Sequence, residues 1–225
     1  MGTDNLFHKR KARKAESLRR KGARKSSYDV VLIVCEGGKT EPAYFTELIK
    51  DLRLNSANVR ISGQGADPLS VVDFAIAEFR KELKKEQKFD RVYCVFDRDR
   101  HTTYHAAMDK VKHTRLGRGG KILAVPSIPC FEFWLLLHFI YTTRPFNAPA
   151  GDSICFKVGK ELEKHLPGYR KGDRNVFAKL RGKLDNAIAN ARRLEQFHQT
   201  SGTDNPSTRV YCLVEYLLNL KKQNT

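Results

Sequence analysis

The stretch YDVVLIVCEGGKTE, residues 28–41, decides the fold. From Tyr28 to Val34 the chain is apolar and mostly β-branched, broken only by Asp29. Such a run is too short for a free-standing helix. It reads as a strand buried on both faces, which is how strands of parallel sheets read. Glu36-Gly37-Gly38 ends it. Thr40 then caps a helix with Pro42 near its first position, and Leu48, Ile49 and Leu52 give that helix an apolar face.

The pattern repeats outward. Asn58 to Ser62 is a second short strand and Gly63-Gln64-Gly65 a loop. Asp67 caps a helix opened by Pro68, with Leu69, Val72, Phe74, Ile76, Phe79 and Leu83 on its apolar positions. Asp90 to Phe96 is a third buried strand, stopped by Asp97-Arg98-Asp99. His101 to His113 reads as a helix, and Lys121 to Val125 as a fourth strand closed by Pro126 and Pro129. The alternation predicts an α/β fold, a four-stranded parallel sheet flanked by helices. After Tyr141, Pro145 and Pro149 mark a linker. Helices over Lys157–Leu166, Val176–Gln199 and Thr208–Lys222 form a C-terminal helical appendage. The expected organisation is a basic flexible arm over 1–27, the α/β domain over 28–145 and a helical region over 146–225.

Composition narrows the class. The 225 residues are 40% hydrophobic, enough to fill a core. No apolar run is long enough to span a membrane, and the N-terminus is too polar for a secretory signal, so a cytoplasmic protein without membrane attachment is expected. Cys35, Cys94, Cys130, Cys155 and Cys212 are scattered and never form C-x-x-C, which argues against a disulfide framework or a zinc ribbon. The net charge is +17. Ten Lys/Arg against two acids fall within residues 1–27, among them Lys9, Arg10, Lys11, Arg13 and Lys14. Such an arm attracts phosphates and releases counterions, so nucleic acid is the first partner to consider; a solubilising tail or a protein-binding helix is the bland alternative.

Ligands of open parallel sheets bind beyond the carboxyl ends of the strands. Glu36 follows strand one, and Asp97 and Asp99 follow strand three. Alternation along an extended chain places Asp97 and Asp99 on one face. If strands one and three are neighbours, three carboxylates converge, an arrangement that a hard divalent cation relieves. Gly37 and Gly38 allow a sharp turn and close approach of a phosphate. Gly37-Gly38-Lys39-Thr40 is not a phosphate-binding P-loop, because the first glycine of that motif would fall on Ile33. Glu132, among apolar residues after strand four, needs a partner or a metal; it stands beside the site or else meets the positive end of a helix dipole. Lys39 can neutralise phosphate charge or face solvent. His138 reads as a core histidine. Tyr169, Arg170, Lys171 and Arg174 make a basic patch with one aromatic, able to stack a base and hold a backbone, or else a solvated loop.

Strand–Glu-Gly followed by strand–Asp-x-Asp resembles the TOPRIM domain of topoisomerases, primases and OLD-family nucleases. VCEGGKTE (34–41) is similar to the E-G-x-T-E form of the OLD-like nucleases. The chain resembles the RloB family more closely still, through VCEGGKTEPAYF (34–45), VFDRD (95–99), SIPCFEFWLLLHF (127–139), LPGYRKGD (166–173) and NPSTRVYCLVEYL (205–217). The resemblance implies a Rossmann-like TOPRIM domain over 28–145 and a small metal-dependent nuclease of phage-defence loci, acting in abortive infection beside an AAA-type ATPase. It places metal ligands at Glu36, Asp97 and Asp99, with Glu41 as a further acid for Mg²⁺ or Mn²⁺.

The expected activity is phosphodiester hydrolysis of DNA or RNA, with Glu36, Asp97, Asp99 and Lys39 as catalytic residues and Glu132 behind them. Arm residues 9–14 with Arg170, Lys171 and Arg174 would hold nucleic acid. The alternative is a catalytically silent nucleic-acid-binding or scaffolding module partnering the ATPase. A topoisomerase or primase would need further domains.

Overall fold

The computed structural model describes residues 29–55, 57–61, 67–84, 89–147 and 153–222. The basic arm, with Lys9, Arg10, Lys11, Arg13 and Lys14, lies outside the described residues. So does the Gly63–Gly65 loop.

Four strands run parallel as anticipated: β1 (Val31–Cys35), β2 (Ala57–Ile61), β3 (Arg91–Asp97) and β4 (Lys121–Ile128). A fifth, β5 (Ser207–Thr208), pairs antiparallel with the end of β4, so the sheet order is β2-β1-β3-β4-β5. The purely parallel four-stranded expectation is thereby corrected. Two residues carry no period-2 signal, and β5 exists because the C-terminal region returns to the sheet. β4 also runs through Pro126, where a strand end was expected. A proline is tolerated on a strand lacking a full-length second neighbour.

Helices α1 (Thr40–Leu52), α2 (Pro68–Lys84), α3 (Tyr104–His113), α4 (Glu132–Leu136), α5 (Ile154–His165), α6 (Val176–Leu180), α7 (Leu184–Ser201) and α8 (Val210–Lys222) complete the chain. The single helix expected over Val176–Gln199 is broken by a 3-10 turn, Arg181–Lys183, with Gly182 at its centre. Glycine is a poor helix former, and the break lets α6 and α7 diverge. Asp67 caps α2 as expected: its Oδ1 accepts the Leu69 and Ser70 N–H groups at 3.0 and 3.4 Å. Thr40 does not cap α1. It is the first helical residue, and its hydroxyl accepts the Gly172 N–H at 2.9 Å instead.

Strand alternation sorts the core into two faces. Leu32, Val34, Val92, Cys94 and Phe96 pack against α2 and α3. Val31, Ile33, Cys35, Tyr93 and Val95 pack against α1 and the helices from α4 to α8. The C-terminal helices therefore share one core with the sheet. Arg91 and Tyr216 both bond Asp29, at 2.9 and 2.5 Å, and pin α8 to the start of β3.

Candidate active site

β1 and β3 are neighbours, with Cys35 paired to Val95, so the residues just beyond them meet at one end of the sheet. The Asp97 N–H donates to Glu36 Oε2 at 3.0 Å. Alternation sends the two side chains to opposite faces. Glu36 continues the Leu32–Val34 face and Asp97 the Tyr93–Val95 face.

On the first face, His101 Nε2 lies 2.9 Å from Glu36 Oε1. Burial raises the Glu36 pKa, the Asp97 N–H and His101 oppose the rise, and Asp67 adds to it. Asp67 in turn accepts the Thr103 hydroxyl at 2.6 Å, tying the start of α2 to the loop that carries His101. The sequence marked Asp67 only as a helix cap and His101 only as a helix start, not as site residues. The only hint for His101 was its position two residues past Asp-x-Asp.

On the second face three more charges gather. Burial, then Glu41, Glu132 and Glu36, push Asp97 well above the usual carboxylate range. Glu41 is pushed up to about 7, chiefly by burial, with Glu132 and Glu36 contributing. Glu41 lies in the first turn of α1 and is 6% exposed; Glu132 opens α4, just beyond β4, and is 3% exposed. One oxygen of each, Glu41 Oε2 and Glu132 Oε2, is buried with no hydrogen-bond partner. Such orphaned acceptors are costly unless a proton or cation reaches them.

Gly37 is required here for a reason other than the phosphate approach anticipated. A Cβ built on Gly37 would stand 2.3 Å from Glu41 Oε2 and 2.6 Å from Oε1. The missing side chain is the space into which the Glu41 carboxylate folds.

A loop from the C-terminal region closes over this face. Tyr169 donates its hydroxyl to Glu132 Oε1 at 3.4 Å, and Lys171 Nζ reaches within 4.0 Å of the same oxygen. Glu132 first, then Glu41 and Asp97, raise the Lys171 pKa and hold its ammonium protonated. Gly172, at φ +90, lies against the Lys39 side chain, so the loop rests on the start of α1. The expected basic patch divides. Tyr169 is 8% exposed with its hydroxyl on Glu132, so its ring is not a surface platform, whereas Lys171 is exposed with its ammonium toward Glu132. Arg170 and Arg174 are exposed beside them, as is Lys39.

Asp99 also departs from expectation. The chain turns after Asp97, so strand alternation no longer applies. Asp99 sits at φ 31 with its N–H donating to the Pro129 carbonyl at 3.0 Å. Aspartate tolerates this left-handed conformation better than most residues. Among the described residues no three His, Cys, Asp or Glu side chains are already drawn into a ligand shell. His138 is buried, its Nδ1 3.1 Å from the Trp134 carbonyl, a core histidine as expected.

The RloB-like protein family model matches residues 31–217. The chain belongs to this family. No curated protein and no solved structure gave a match. The RloB-like match runs from β1 to α8, so it takes in both strand-end acids and the loop that closes over them. No helix among the described residues is long and apolar enough to cross a membrane.

Proposed function

We propose that this RloB-like chain is a metal-dependent TOPRIM nuclease that hydrolyses phosphodiester bonds in nucleic acid. One observation carries the reading: Glu36, Asp97, Glu41 and Glu132 are concentrated beyond the ends of β1, β3 and β4, two of them with orphaned buried oxygens. A fold does not keep such repulsion for stability, because a buried acid without compensation is costly. The donors are all hard oxygens, which suits Mg²⁺ or Mn²⁺. Asp97 and Glu41 would hold the ion, with Glu36 close enough to both to add its charge across the strand ends, Asp99 added by the family pattern and Glu132 behind them. A divalent ion there supplies Lewis acidity and neutralises charge at a phosphate.

The protein's own groups do the rest. Lys39, exposed at the start of α1, meets a phosphate with a positive charge and the partial charge of the helix N-terminus. His101 Nε2, against Glu36 Oε1, can hold a proton beside the reacting phosphate. Lys171 balances Glu132 and Glu41 and keeps the net charge of the site low enough for an anion to enter. Arg170, Arg174 and the basic arm hold the strand. We further propose that the chain is a cytoplasmic effector of antiviral defence by abortive infection, working with an AAA-type ATPase. The runner-up, a silent binding module, is favoured by the ion pair of Lys171 with Glu132, which already offsets part of the negative charge.

Digestion of plasmid, single-stranded DNA and tRNA with Mg²⁺ or Mn²⁺, with and without chelator, separates the two. Cleavage that disappears in chelator and in Asp97→Asn is expected. No cleavage, with or without the ATPase, by a chain whose melting temperature also ignores Mn²⁺ would leave the silent module.

A further inference from the structure

Beside the carboxylates a cavity of about 530 Å³ opens between the start of α5 and the 169–171 loop. Glu132, Tyr169 and Lys171 line one side, and Phe156, Gly159 and the Lys160–Glu163 pair the other. Two features of this second side are unusual. Phe156 is 65% exposed, the most exposed large hydrophobic side chain among the described residues. Gly159, one turn further along the same helix face, has open space where a side chain would stand. Glycine inside a helix costs about 1 kcal/mol relative to alanine, so an ungapped helix would be better made without it. Together they form a flat aromatic platform with clear space beside it. Lys160 Nζ stands over the Phe156 ring, 5.7 Å from its centroid, and is paired with Glu163 at 3.0 Å, so an entering base displaces the ammonium from the ring.

The geometry points to a nucleobase site: an unpaired base stacks on Phe156 over Gly159, while its phosphate runs past Lys171 toward Asp97. This rests on the nucleic-acid reading above and deepens it, making the preferred substrate a single strand, loop or frayed end. A paired base cannot reach the platform, because its faces are already stacked in the duplex. The cavity size is within the range of small-ligand sites, about 300–1,000 Å³. Every base has a π-face, so the site selects for strandedness and not for sequence.

The test is binding in chelator, where no cleavage occurs, using labelled single-stranded RNA, single-stranded DNA and duplexes of equal length. One strand carries 2-aminopurine to report stacking. Expected are tighter binding of single strands than of duplex and quenching of 2-aminopurine. Phe156→Ala should weaken single-strand affinity by roughly 5- to 100-fold, the range for one stacked base, and abolish the quench. Phe156→Tyr should restore both. Gly159→Leu should block the site without lowering the melting temperature, since leucine is the better helix former. Equal affinity of wild type and Phe156→Ala for single strands, duplex binding as tight as single-strand binding, or no binding at all overturns the proposal. Because the readout is independent of hydrolysis, Phe156-dependent binding without cleavage would sink only the nuclease reading. Cleavage indifferent to Phe156 would sink only this one.

Discussion

Gly37 and Asp97 carry opposite lessons about single residues. A methyl at Gly37 collides with the Glu41 carboxylate, and the carboxylate must move or the turn must open. Gly37→Ala is expected to cost about 1–3 kcal/mol in a denaturant titration, the usual cost of overpacking, and to weaken Mn²⁺ binding in calorimetry. Asp97→Asn removes a charge that Glu41, Glu132 and Glu36 all oppose. It should raise the melting temperature in chelator and abolish the further rise that Mn²⁺ gives the wild type. A variant that melts lower in chelator would show the Asp97 charge to be stabilising. His138 offers a pH test away from the site. Burial lowers its pKa from 6.5 to about 4, so the folded chain keeps it neutral where the unfolded chain binds a proton. The stabilisation is complete above pH 6.5 and is lost as pH falls toward 4, at up to about 1.4 kcal/mol per pH unit. His138→Leu should flatten that limb in urea titrations; an unchanged slope would assign it to other groups.

At the scale of elements, the informative contact is between the start of α1 and the loop before α6. The Thr40 hydroxyl takes the Gly172 N–H, and that bond holds Lys171 over Glu132. Thr40→Val removes the acceptor but keeps the shape. Its expected cost is about 1 kcal/mol, with faster hydrogen exchange at the Gly172 amide and little change in the strand amides. Unchanged exchange at Gly172 would mean that the loop is held by Tyr169 and Asp173 alone. Asp173 itself is fixed by Lys179 on α6, at 2.5 Å, so both ends of the loop are tied to helices.

For the whole molecule, the sheet and the C-terminal helices are one folding unit. Val31, Ile33, Tyr93 and Val95 lose part of their cover if α5 to α8 are removed, because the same core continues into Leu162, Phe177, Leu194 and Leu217. A chain ending at residue 145 should therefore be insoluble or lack a cooperative melt, whereas removing residues 1–27 should leave the melt intact. The arm deletion should also lower the salt slope of nucleic-acid binding, since it takes away ten positive charges. A cooperative melt from the 1–145 chain would show that the sheet is self-sufficient.

The sequence alone determined the parallel strands and which acids stand at their carboxyl ends. VVLIV and VYCVF are apolar at every position, which only strands covered on both faces require, and Glu36 and Asp97 stand at their carboxyl ends by simple counting. Periodicity, which is local, likewise announced α1 and α2, and the Asp67 cap marked the start of α2. The tertiary structure decided what depends on strand order and on distant returns of the chain. β5 joins through Ser127 and Thr208, whose hydroxyls meet at 3.0 Å across 81 residues. The Thr40 hydroxyl accepts the N–H of Gly172, 132 residues away, and not one from its own helix. Asp99 leaves the strand because the Pro129 carbonyl captures its N–H. Glu132, Lys171 and His101 reach the site only once β4 lies beside β3 and the loops close over the ends of both. A local pattern can be read where the forces are local; which side chain meets which across the sheet end is fixed only by the packing of the whole chain.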